Sequence, residues 1–285
     1  MSQLQGKDLE SLVLENIKNV IGDANDIENM MSYSALAKSK LLRSKLIFAS
    51  GDINQNISTN SLVNLSTAIE LMHTYSLVHD DLPAMDNDQI RRGQPTSHIK
   101  FGEANAILSG DALQALAYEV ISSDADLSNA HKVKAINNLA SACGKSGMVY
   151  GQYLDVKNEG VLLDIDELIK IHRLKTGKLI ESSIIIPLLN LDNQKCLEDF
   201  EKISTNYGLA FQIIDDLLDV GDLEIGKDKN SDLKNNKSSF ATLMTHNKAY
   251  EYASSLIDEA HKDLNKYQNT SQLIELGKFI ISRKS

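Results

Sequence analysis

Residues 61–81, "SLVNLSTAIELMHTYSLVHDD", carry Leu62, Leu65, Ile69, Met72, Ser76 and His79 at steps of three and four. That period places them on one face of a helix, which runs without a breaker into a pair of aspartates. Pro83 follows and stops it. A second stretch of this kind, residues 201–220, "EKISTNYGLAFQIIDDLLDV", puts Ile203, Tyr207, Ala210, Ile214 and Leu217 on an apolar stripe, and Gly208, Gln212, Asp215 and Asp219 on another face. Between the two, "GEANAILSGDALQALAYEVI" (102–121), "VKAINNLASACGKSGMVYGQYLDV" (133–156) and "DIDELIKIHRLKTGKLIESSIIIPLL" (164–189) read as further helices joined by short turns. Residues 221–239, rich in Gly, Asn, Asp and Lys, read as a mobile loop. No internal repeat and no convincing strand alternation interrupts this pattern. The 285 residues hold only three prolines and no tryptophan. The expectation is a single all-α domain spanning 1–285, one large bundle of roughly ten or more helices around a deep central cavity.

A formal charge of −10 argues against nucleic acid as a partner, because a phosphate backbone is attracted to clustered Lys and Arg. Cys143 and Cys196 lie far apart without metal-ligand spacing and read as buried thiols of a reducing compartment. The first twenty residues mix charge with apolar residues and contain no signal-peptide core. The longest apolar run, "SSIIIPLLNL" (182–191), falls short of the ~18 to 20 residues that cross a bilayer. No stable membrane anchor is expected, and the cytoplasm is the expected location.

The chemistry is concentrated at residues 79–95, "HDDLPAMDNDQIRRGQP". Asp80, Asp81 and Asp86 form one acidic set; Asp215, Asp216 and Asp219 form another. Either alone reads most simply as a solvated helix face or turn. Together, on two strongly apolar helices, they read as hard oxygen ligands for Mg²⁺, which takes one or two carboxylates and completes its shell with water and phosphate oxygens. Basic residues accompany them: Arg91 and Arg92 after the first set, Lys175 beside Thr176 in mid-helix, Lys227 and Lys237 after the second set. Such residues suit a polyanionic guest.

The run "HTYSLVHDDLPAMDNDQIRRGQPTSHIKFGEANAILSGDALQ", followed by "KTGKLIE" and "FQIIDDLLD", resembles the short-chain trans-prenyltransferases, and most closely the bacterial farnesyl diphosphate synthases. The resemblance extends from about Tyr33 to the terminal "FIISRKS". It implies the isoprenoid synthase fold, a homodimer, and Mg²⁺-dependent head-to-tail condensation of isopentenyl diphosphate with an allylic diphosphate, dimethylallyl or geranyl, to give farnesyl diphosphate. It implies up to three Mg²⁺ per active site, with Asp80, Asp86 and Asp215 the leading ligands and Asp81 and Asp219 beside them. It assigns Arg91, Lys175, Thr176, Gln212, Lys227 and Lys237 to the allylic diphosphate, with Lys175, Thr176 and Gln212 also stabilising the cation. It assigns Lys40, Arg43, His73 and Arg92 to isopentenyl diphosphate. Tyr75, with Ser76 beside it, lies five residues before Asp80, about 7 to 8 Å along the helix, and is expected to limit the product to fifteen carbons. Where the family reads "GGKRLRP", this chain has "KSKLLRS" (38–44): Lys40 and Arg43 keep basic positions, but both glycines and the proline are replaced. Geranylgeranyl or geranyl diphosphate synthesis is the alternative within the family. A terpene cyclase handles one diphosphate and typically mixes Asn, Ser and Glu in its second motif, and a non-catalytic subunit is expected to lack aspartates; neither description suits this sequence.

Overall fold

A computed structural model describes residues 6–224 and 238–283. The chain is all-α, and its contacts divide it into two compact units, residues 1–137 and 138–285.

The first unit is built on α4 (Thr59–Asp80), with α1 (Gly6–Ile21), α2 (Asp26–Ala35), α3 (Leu42–Ile53) and α6 (Glu103–Ser123) packed against it. α4 begins where the Ser58 side chain accepts a hydrogen bond from the Ser61 backbone, and it is buried on nearly every side. A helix apolar all round must be a core element, which explains why its sequence carries little amphipathic contrast. It ends at Asp80, because Pro83 disfavours helical backbone at Leu82. The short helix α5 (Ser97–Phe101) precedes α6.

No strand was expected, yet two two-residue strands, β1 (Ile90–Arg91) and β2 (Gln94–Pro95), pair antiparallel. Arg92 and Gly93 between them both have positive φ, 54° and 80°. That is the signature of a type I′ turn, the tight connection that matches strand twist.

The stretch 133–156 holds two helices, α7 (Asn129–Cys143) and α8 (Met148–Lys157), separated by "GKSG", whose glycines are poor helix formers. In the second unit, residues 164–189 form one helical run: α9 (Ile165–His172), a π segment at Arg173–Gly177, α10 (Lys178–Ile185) and a 3₁₀ turn at Ile186–Leu188. α11 (Gln194–Glu224) is the long helix of this unit and packs against α10, α12 (Phe240–Leu243), α13 (His246–Leu264) and α14 (Ser271–Ser282). Its stripe of Ile203, Tyr207, Ala210, Ile214 and Leu217 is fully buried, as its spacing predicts. α11 continues through residues 221–224, where a loop was expected; the remainder of that expected loop, through residue 237, lies outside the described residues.

Candidate active site

In the first unit the site forms where α4 ends. A helix C-terminus is the negative pole of its dipole, so an aspartate pair there is disfavoured unless positive charge is nearby. Asp81 is 3% exposed and takes that charge from within: Arg91 donates to it through Nε and Nη2 and also reaches Asp88. Burial pushes the Asp81 carboxyl up and Arg91 opposes the rise. Asp80 is half-buried and Asp86 exposed. The turn after the helix folds back so that the Asp86 N–H donates to the Asp80 carbonyl at 2.9 Å. This places the first and third aspartates of the motif at the same helix end. Among the described residues no three His, Cys, Asp or Glu side chains converge closely enough to hold a metal by themselves. The two carboxylates of Asp80 and Asp86 are the donor set that fits Mg²⁺ completed by water and phosphate oxygens.

The type I′ turn carries Arg92, and Thr96 secures the hairpin by donating through Oγ1 to the Asp88 carbonyl and through its N–H to the Gln89 carbonyl. Tyr33 ties the hairpin to α2, donating to the Pro95 carbonyl while its own carbonyl accepts from Gln94. On α4, burial first, and then Arg43, Arg92 and Arg91, hold the His73 imidazole well below its ordinary value. His73, Arg43 and Arg92 therefore share one basic neighbourhood. Lys40 is exposed just before α3. Half a turn beyond His73, the half-buried Tyr75 meets His79 edge to face at 4.9 Å, and Ser76 donates to the His73 carbonyl.

In the second unit, Lys175 and Thr176 lie in the π segment, where the Lys178 N–H reaches back five residues to the Arg173 carbonyl. Such wide turns recur at functional sites. Two glycines let other helices close on it. A Cβ on Gly151 of α8 would stand 2.2 Å from the Lys175 backbone nitrogen, and one on Gly208 of α11 would stand 2.8 Å from the Gly177 Cα. The Gly208 contact lays the expected polar face of α11 against the π segment, with Gln212 one turn farther along. Lys175 Nζ is held by Asp155 of α8 at 2.7 Å.

The second acidic set divides by role. Asp216 is buried and accepts from Gln212 (3.1 Å), the Phe240 N–H (2.9 Å) and His172 (3.2 Å), so it joins α9, α11 and α12. Asp215 is 43% exposed along its side chain and pairs with Arg283 Nη1 at 3.1 Å, while Asp219 is exposed. The Arg283 guanidinium sits 3.8 Å over the Phe211 ring and donates to the Phe211 carbonyl. Burial lowers the Arg283 pKa, and Asp215 and then Asp219 counter that fall. Lys227 and Lys237 lie outside the described residues.

A sequence model of the polyprenyl synthetase family matches residues 24–276. The chain belongs to the polyprenyl synthetase family. Within that family it is 44% identical over 264 residues to farnesyl diphosphate synthase of Escherichia coli (strain K12), covering 89% of this chain and 88% of that protein. A crystal structure of an FPP/GFPP synthase from Zymomonas mobilis superposes with a TM-score of 0.85 at 31% identity, covering 98% of this chain and 100% of that one. Geranyltransferase from Helicobacter pylori, solved with magnesium and isoprenyl diphosphate, gives 0.80 at 27% identity, covering 99% and 100%. Asp155, Arg283 and the structural role of Asp216 are not legible in the sequence. Asp155 ends an apolar run as a lone acid, and Arg283 is far in sequence from Asp215, so neither leaves a spacing signal.

Proposed function

We propose that this polyprenyl synthetase condenses isopentenyl diphosphate head to tail with dimethylallyl or geranyl diphosphate, with Mg²⁺ as cofactor, and that its product is farnesyl diphosphate. The observation that carries the reading is the end of α4, where the Asp86 N–H folds back onto the Asp80 carbonyl at the negative pole of a buried helix and Arg91 pairs with the neighbouring Asp81 and Asp88. Family membership and the relatives' printed activities support it. Asp80, Asp86 and Asp215 would hold Mg²⁺, with Asp81 and Asp219 contributing charge and up to three ions bound. The bound metal supplies electrostatic neutralisation of the diphosphate leaving group as the allylic C–O bond breaks.

The chain's own residues do the rest. Arg91, Lys175, Lys227 and Lys237 bind the allylic diphosphate. Thr176 and Gln212 offer neutral oxygen dipoles to the allylic cation, stabilising it without trapping it. Lys40, Arg43, His73 and Arg92 orient isopentenyl diphosphate, whose double bond attacks; the released diphosphate takes the final proton. Tyr75 and Ser76 limit the growing chain. We take residues 1–285 as one catalytic domain, a reading supported by the family match, which runs through residue 137. No helix among the described residues is long and apolar enough to cross a membrane, and we place the enzyme in the cytoplasm as a homodimer.

The test is to incubate purified protein with isopentenyl diphosphate and either dimethylallyl or geranyl diphosphate, with Mg²⁺ or with chelator, and to identify products by chromatography. Farnesyl diphosphate formed only with divalent cation is expected. Equal product in chelator would overturn the mechanism.

A further inference from the structure

α3 starts without a cap of its own. Its N-cap residue, Leu41, has φ 45° and offers no side-chain acceptor, so the first N–H groups of the helix need partners from elsewhere. Glu70, a buried carboxylate in the middle of α4, supplies one: its Oε1 accepts from the Ser44 N–H at 3.1 Å and from the Ser44 hydroxyl at 2.8 Å. A carboxylate at the positive end of a helix gains from the dipole as well as from the hydrogen bonds. Glu70 thus caps α3 from a neighbouring helix. The residues it fixes in place are the start of α3, with Arg43 directly before Ser44 and Lys40 just ahead of the helix.

The same carboxylate acts on the hairpin. Arg92 sits in the left-handed region, where a non-glycine residue needs outside support. The leading negative charge on it is Glu70, ahead of Asp81. His73 follows Glu70 by three residues on α4, one turn along the same face. The Glu70 carboxylate thus accepts from Ser44 of α3 and acts by charge on Arg92 of the turn, while His73 on its own helix lies among Arg43, Arg92 and Arg91.

We propose that Glu70 is the positioning residue of the isopentenyl diphosphate pocket, holding the start of α3 through Ser44 and the Arg92 turn through charge, so that Lys40, Arg43 and Arg92 converge on one diphosphate. The proposal rests on the pocket assigned under the proposed function. It predicts an effect confined to one of two substrates. Glu70 lies outside both acidic sets and outside the residues assigned to either substrate, so the allylic site is expected to be spared.

Initial rates measured against each substrate in turn, for wild type, Glu70→Gln and Ser44→Ala, test it. Glu70→Gln keeps an acceptor for Ser44 but loses the charge facing Arg92. The expected result is a KM for isopentenyl diphosphate raised on the order of tenfold, the usual size for a partner one layer behind a ligand, with the allylic KM within about twofold of wild type. Ser44→Ala, which keeps the backbone bond, should shift the same constant by less. Calorimetric titration with isopentenyl diphosphate alone gives the matching loss of affinity without turnover. Should Glu70→Gln fail to fold, Ser44→Ala carries the test by itself. Both KM values moving together, or neither moving, would overturn the proposal. If wild type itself condenses nothing, the pocket assignment falls first and this proposal with it.

Discussion

Asp80 and Asp215 are carboxylates in unlike places, one at the negative end of a helix and one paired with a buried guanidinium. Replacing either by Asn should cost on the order of 100-fold or more in kcat, as loss of one stabiliser of developing charge does; Asp80→Asn should not lower the melting temperature, whereas Asp215→Asn, which takes the carboxylate from the buried Arg283, should. Single-turnover rates and thermal melts of the two variants check this. Tyr75 makes a different kind of prediction. Tyr75→Ala should shift products beyond those of wild type, read by chromatography; an unchanged product length would remove it from the chain-length role. His73 predicts a pH dependence. Its folded pKa lies below its unfolded value, through burial and then Arg43, Arg92 and Arg91. The unfolded chain therefore binds the extra proton, and stability present above about pH 6.5 is lost as pH falls below it. His261, lowered mainly by burial, acts with the same sign. Melts of wild type and His73→Gln between pH 7.5 and 5.5 should show the variant losing less stability on acidification.

Among the elements, α4 and α11 were legible in the sequence because their function and their burial use the same period. Leu62, Leu65, Ile69 and Met72 are all in the core, and so is the stripe of α11. The hairpin and the π segment were not legible. Two-residue strands leave no alternation to read, and a wide turn inside a helix preserves the apolar spacing on both sides while shifting its phase. Asp216 was read only as part of an acidic run, because its partners Phe240 and His172 come from elements distant in sequence. Asp216→Ala should destabilise the fold by about 1–3 kcal/mol by stranding the Phe240 N–H, measurable by urea unfolding. Gly208→Ala, which would press a methyl against Gly177, should cost about 1–3 kcal/mol by the same assay and slow the reaction as well.

For the whole molecule, the all-helical class followed from composition, since a chain nearly free of proline with long periodic runs has few other ways to bury its apolar residues. Division into two compact units did not follow, because the boundary at residue 137 falls inside α7 and leaves no change in composition. Ile107 and Leu108 of α6 are two of the large apolar side chains left exposed, at 43% and 53%, and the proposed homodimer is tested there. Sedimentation equilibrium should find a two-chain particle, and Leu108→Glu should weaken it. The π segment at Arg173–Gly177 depends on the number of residues in its helix. A wide turn is what remains when one extra residue is accommodated inside a regular helix, and α10 follows it directly. Removing a single residue between 173 and 177 should let an uninterrupted helix form. The later side chains of that helix would keep their facing, because the lost residue and the regained twist of about 100° offset one another. The deletion variant should keep its core face and fold, yet lose the widened turn that seats Lys175 and Thr176 between Gly151 and Gly208.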